Sequence, residues 1–193
     1  MKRILITLFL VLSLVICLPA CTKGKVEENP EFAKFNEMFA KTFDDYTITV
    51  LTTSYNGDFL SDKYTVKTVD GVTSVTYRVE TLNEFVVEGD MITVPDGYTT
   101  VTEGVYNSNT DAEAVRNYTV PKFNFSNKCI GNVYISDSMF SADITSIEGF
   151  MGLNLHVTDA TVIVTYSENA PASVIISYTT AADSKVIITY TFN

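Results

Sequence analysis

Hydrophobic positions along the chain change period. From Phe32 they recur at three- and four-residue spacing, through Phe35, Met38 or Phe39, and Phe43, between Pro30 and Asp44-Asp45. That spacing predicts an amphipathic helix over 31–43 with an aromatic stripe facing a core. From Tyr46 the period becomes two. Tyr46, Ile48 and Val50 share one face, and Thr47 and Thr49 the other. Tyr64 and Val66, then Val75, Tyr77 and Val79, continue the alternation beyond the turn signals Asn56-Gly57-Asp58 and Asp70-Gly71. A two-residue turn at 70–71 opposes Val66 to Val75 and Tyr64 to Tyr77. A turn centred on Gly57 opposes Val50 to Tyr64 and Ile48 to Val66. Both keep like facing like, as a sheet with one buried face requires.

A second meander is predicted near the end of the chain, over about 160–167, 172–179 and 185–192. A turn centred on Asn169 opposes Val164 to Val174 and Val162 to Ile176. One centred on Ala181 opposes Val174 to Ile188 and Ile176 to Val186. A short helix is predicted before it from Ile144, Ile147 and Phe150 or Met151. The two meanders look like an internal repeat: Tyr64 matches Tyr178, Thr49-Val50 matches Ile163-Val164, and Val75-Thr76-Tyr77 matches Ile188-Thr189-Tyr190. Between them, strands are expected near 85–93, 98–106, 115–123, 131–136 and 138–143. The fold class that follows is mainly antiparallel β with minor helix (α+β). The expected form is a curved sheet or half-barrel with an N-terminal helix and a duplicated helix-plus-meander unit.

The second meander differs from the first in one respect. Its second face carries Ile163, Ile175 and Ile187, which the same turns place in one cross-strand row. The equivalent face of the first meander is polar: Thr47, Thr49, Thr65, Lys67, Thr76 and Arg78. A sheet apolar on both sides needs cover on both. Either the row packs against a further layer, or it lines a groove for an apolar ligand such as an acyl chain. On the packed reading Ile175→Asp unfolds the domain; on the groove reading the fold survives and the ligand is lost.

The first twenty residues have a different pattern. Lys2 and Arg3 precede an apolar run from Ile4 to Leu18, too short for a comfortable membrane span, followed by Leu18-Pro19-Ala20-Cys21. This resembles the lipobox of bacterial lipoproteins, with a leucine three residues before the modified cysteine. The resemblance implies cleavage after Ala20 and a lipid on Cys21, hence an extracytoplasmic domain anchored to the cell membrane. Two or three acyl chains anchor firmly, at about 0.8 kcal/mol per buried methylene. The organisation expected is a signal peptide over 1–20 and a lipidated cysteine and tether over 21–30. A single β-rich domain then covers 31–193, with similar halves at 31–80 and 144–193.

Charge and residue usage narrow the functions. Without residues 1–20, eleven basic residues face 23 acidic ones, a net charge of −12. A surface this acidic repels phosphate backbones and argues against nucleic acid as a partner. With Cys17 in the leader and Cys21 lipidated, Cys129 has no disulfide partner and reads as a small buried apolar residue. His156, the only histidine, reads as a core or surface residue. Asn107, Asn109 and Asp111 alternate like the start of a calcium loop, but Ala112 and Tyr118 stand where the loop needs Gly and Glu. No catalytic residue, metal site or cofactor is nominated.

By its lipobox, tether, first helix and Thr/Tyr-rich meanders the chain resembles small β-rich lipoproteins of Gram-positive bacteria. Its order of helix then meander is similar to that of half-barrel lipoprotein carriers of the LolA and LppX type, in which a curved sheet holds lipid. The expectation is a non-enzymatic binding domain for a lipid or other apolar ligand, with Ile163, Ile175 and Ile187 as its lining. The alternative is a surface module for protein or cell-wall polymer, with no ligand cavity.

Overall fold

The alternating segments do pair into one long sheet. The computed structural model describes residues 28–55, 57–82, 86–88, 91–93 and 99–193. The expected leader, Cys21, residues 22–27 of the tether, Asn56 and residues 85, 89, 90 and 98 of the expected middle strands lie outside the described residues. In chain order the elements are α1 (Glu31–Met38), β1 (Asp45–Thr53), β2 (Phe59–Val69), β3 (Val72–Leu82), β4 (Val86–Glu88), β5 (Met91–Thr93), β6 (Thr99–Asn107), α2 (Ala112–Asn117), β7 (Ile130–Ile135), β8 (Met139–Ile144), α3 (Ile147–Met151), β9 (Val157–Ser167), β10 (Ala170–Thr180) and β11 (Lys185–Phe192). Among the described residues nine strands form an open antiparallel sheet in the order β6-β3-β2-β1-β11-β10-β9-β8-β7, while β4 and β5 pair with each other. The fold is therefore mainly antiparallel β with short helices. No helix among the described residues is long and apolar enough to cross a membrane.

Turn chemistry decides the register. Asp70 and Gly71 both take positive φ, 52° and 76°, as a tight hairpin turn requires, and Tyr64 opposes Tyr77 as expected. Val164 opposes Val174 and Val162 opposes Ile176, also as expected. The other two turns are longer than their sequence signals suggest. Ser54 N–H donates to the Asp58 carbonyl at 2.9 Å, so the loop runs over 54–58 and Ile48 opposes Tyr64. Likewise Thr180 N–H donates to the Ser184 carbonyl at 2.9 Å, and Ile176 opposes Ile188. Each slip is two residues, so every side chain keeps its face.

One face of the sheet carries the core. Val162, Val164, Val174 and Ile176 are fully buried there. Above them α1 contributes Phe32, Phe35 and Met38, and α3 contributes Ile147, Phe150 and Met151. The expected helix over 31–43 stops at Met38; Phe39, just past its end, stays buried and stacks on Phe125. The expected strand over 115–123 does not form. Residues 112–117 make α2, and the chain then crosses the core face unpaired, with Phe123 and Phe125 buried. Its alternation is that of extended chain, but Asn36 replaces a partner strand: its side chain donates to the Phe125 carbonyl at 3.0 Å and accepts from the Phe125 N–H at 2.9 Å.

The two meanders meet at the sheet centre, where β1 pairs β11 from Tyr46↔Phe192 to Thr53↔Lys185. The sequence repeat would lay β1 on β9, β2 on β10 and β3 on β11. In sheet order that shift keeps left and right but reverses every strand's direction. A rigid rotation doing both turns the core face outward, whereas Tyr64, Val75, Tyr178 and Ile188 all face the core side. The two segments share a residue pattern and are not superposable copies.

Candidate functional site

The row nominated from sequence lies on the face turned away from the core. Ile163 opposes Ile175, but the longer turn before β11 moves Ile187 two residues along, against Ser177 and Leu51. Ile163 is 36 % exposed and Ile175 and Ile187 are half-buried, with no further layer over them among the described residues. Hydroxyls flank the row: Thr161 bonds Ser177 at 2.9 Å and Thr165 bonds Ser173 at 2.7 Å. Thr165, Ser173, Thr191, Thr47, Thr65 and Thr76 stand in consecutive register across the outer face. The expected lining residues thus belong to an open, mixed surface.

A better-enclosed hollow forms at the end of the sheet where β1 begins. Its volume is about 550 Å³, and it lies between the turn after α1, the β2–β3 hairpin end, α2 and the crossing segment. Phe39, Phe43, Tyr46, Val115, Val120 and Pro121 line it together with Thr42, Thr68, Thr73 and Thr119, and so do the exposed Lys41, Arg116 and Lys122. Phe43 is held against Phe192, ring centroids 4.4 Å apart. The Tyr46 hydroxyl donates to the Tyr118 carbonyl at 2.8 Å, which ties the crossing segment to β1. Burial pushes the Tyr46 phenol above its ordinary value, so it stays neutral. A larger hollow of about 610 Å³ lies along β2, β3 and β6 among Lys63, Arg78 and Glu103. There Arg78 and Glu103 already pair at 3.3 Å, and Thr65, Thr76, Tyr77, Gly104 and Val105 line a hollow more open to solvent than the first.

The core face of β2, β3 and β6 holds a stack of tyrosines. Tyr64 lies on Tyr118 at 4.1 Å and Tyr77 on Tyr106 at 4.6 Å. Tyr77 can lie down because its neighbour across the ladder is Gly104; a Cβ there would come within 2.5 Å of the Tyr77 hydroxyl. Beside them Asp62 stands at a core-side position, one carboxylate oxygen shielded and without a hydrogen-bond partner among the described residues. Its burial pushes the carboxyl above its ordinary value, and the hydrogen bond from Tyr64 acts in the opposite direction.

The remaining distinctive residues stand apart. Cys129 is buried, with its thiol 3.1 Å from the Asn124 carbonyl, and burial raises its pKa; His156 is exposed. The Asp111 carboxylate closes its own turn, accepting from Asn107 N–H at 3.2 Å and the Thr110 hydroxyl at 2.9 Å. Among the described residues no three His, Cys, Asp or Glu side chains cluster to hold a metal ion. The hollow is not legible in the sequence, because the alternation over 115–123, which holds its wall, is that of a strand. The helical signal was present: Asp111 at the start, then Ala112, Ala114 and Arg116.

Fold and hollow together define an open antiparallel sheet, covered on one face by short helices, with a basin at one end. No protein family matches the chain, and no curated protein matches it. Among solved structures it is similar to a de novo designed fluorescence-activating β-barrel, at 10 % identity over 81 % of this chain and 98 % of that one, TM-score 0.23. A redesigned β-barrel matches at 11 % identity over 81 % and 95 %, TM-score 0.21. Another, bound to DFHBI, matches at 12 % identity over 80 % and 97 %, TM-score 0.22. Scores this low carry no argument about what this chain binds or does.

Proposed function

We propose that the chain is an extracytoplasmic lipoprotein, anchored to the cell membrane through Cys21, whose folded part is a non-enzymatic binding domain for a small apolar molecule. The observation that carries the reading is the basin of about 550 Å³ with aromatic and aliphatic side chains in its lining. Its size lies within the range of small-molecule sites, about 300–1,000 Å³, which are mostly apolar with a few placed polar groups. The ligand is assigned to this basin rather than to Ile163, Ile175 and Ile187, since among the described residues no layer covers those three to shelter an acyl chain. Native mass spectrometry of the protein, with organic extraction beside it, tests the reading. A bound mass that extracts as a lipid is the expected result; a clean apo mass after incubation with host lipids overturns it. Labelling with an alkyne palmitate analogue, lost in Cys21→Ser, tests the anchor.

One observation favours a second reading, that of a surface module for protein or wall polymer. The outer face presents Ile163 and Ile175 beside a row of six hydroxyl residues, with no described element over it. On that reading Ile163→Glu abolishes partner capture and leaves the basin's occupancy unchanged.

A further inference from the structure

The charge around the basin is opposite to that of the chain. The whole sequence has a net charge of −10, yet Lys41, Arg116 and Lys122 gather at one opening that no acidic side chain lines. All three are exposed, and none forms an ion pair among the described residues, whose salt bridges are Lys67–Asp45 and Arg78–Glu103. Lys41 follows α1, while Arg116 in α2 and Lys122 beyond it come from a second part of the chain, so helix periodicity alone does not bring them to one hollow. Three unpaired like charges at one opening focus a positive field onto whatever enters it. Resting on the reading of the basin as a binding site, we propose that its ligand is a single-chain anionic amphiphile of the fatty-acid class. The carboxylate head sits among Lys41, Arg116 and Lys122, and the tail lies over Phe43, Val120 and Pro121. Charge-assisted hydrogen bonds from lysine and arginine hold such a head, and the aromatic lining shelters the tail.

Two photoreactive probes of equal tail length separate head recognition from tail burial. A diazirine fatty acid and the matching fatty alcohol are added to the full chain in phosphatidylcholine nanodiscs, and labelled peptides are mapped by mass spectrometry. The fatty acid is expected to label peptides holding Phe43 and Val120 and to be displaced by excess palmitate. Arg116→Ala with Lys122→Ala lowers its affinity about fivefold, the effect of roughly one exposed ion pair, and leaves the alcohol's affinity unchanged. Lys41→Ala, at a separate segment, repeats the effect if the double variant folds poorly. Equal labelling by both probes, indifferent to the variants, overturns the anionic assignment and leaves the binding reading standing. Labelling of the basin by neither probe removes both. Fatty-acid labelling seen only when the nanodiscs contain phosphatidylglycerol assigns the cations to the bilayer surface and also overturns the proposal.

Discussion

The two meanders share one sheet and one core face, yet they fill it differently. A single rung makes the contrast: Ala142, Val162, Ile176, Ile188 and Val50 are apolar, and the next strand over, β2, puts Asp62 in line. The rung beside it runs Phe140, Val164, Val174, Tyr190 and Ile48, then turns to Tyr64, Tyr77 and Gly104. On the side of β9–β11 the described helices and the crossing segment press phenylalanines onto the sheet. On the side of β2, β3 and β6 tyrosines cover one another and stay half-buried. The first region is built as a scaffold. The second carries polar groups at core-side positions, which a stable core alone does not require.

The largest expected effect lies in the scaffold. Phe35 is fully buried and touches Phe125, Phe140 and Tyr166. Phe35→Ala should cost about 3–5 kcal/mol, measured by denaturant unfolding. An equal loss from Tyr64→Ala would erase the contrast between the regions. Gly104→Ala comes next: the new methyl displaces the Tyr77 ring, at an expected cost of about 1–3 kcal/mol. Tyr77→Ala in that background should recover part of the loss. Ile175→Asp is milder, at about 0.5 kcal/mol, because the outer face is open, so the protein should stay folded by circular dichroism. Asp62→Asn is expected to have the smallest effect and the opposite sign. A carboxyl whose pKa is raised by folding contributes its stability below the ordinary carboxylate value and loses it as pH rises through the raised one. The variant should therefore melt slightly higher at neutral pH, and its stability should vary less between acid and neutral pH. A lower melting temperature across that range would show that the carboxylate is satisfied.

The alternation of Tyr46, Ile48, Val50 and of Val162, Val164, Val174 was enough to assign faces, because side-chain period in a strand is a local property. Asp70-Gly71 fixed its hairpin because both residues tolerate positive φ. Loop length at 54–58 and 181–184 was not legible: the closing bonds from Ser54 and Thr180 depend on the strands already being paired. The longer loop before β11 takes Ile187 out of the row and, with it, part of the reason for reading the row as a site. The basin was less legible still. Lys41 and Arg116 lie 75 positions apart in the numbering and line one hollow only because the turn after α1 and the helix α2 meet at the same end of the sheet. The resemblance of Leu18-Pro19-Ala20-Cys21 to a lipobox is a local pattern that needs no fold to be read.

The pairing of β1 with β11 has a kinetic consequence. Asn193 bonds Asp45 at a separation of 148 residues, and the sheet is continuous only across that seam. Forming it means closing a loop of nearly the whole folded chain, and contacts of such separation are entropically slow. Until β11 arrives, β1 presents an unpaired edge of threonine and β-branched residues, open to another strand. Refolding should therefore be slow and sensitive to protein concentration, and deletion of the last strand should yield oligomers rather than a smaller monomer.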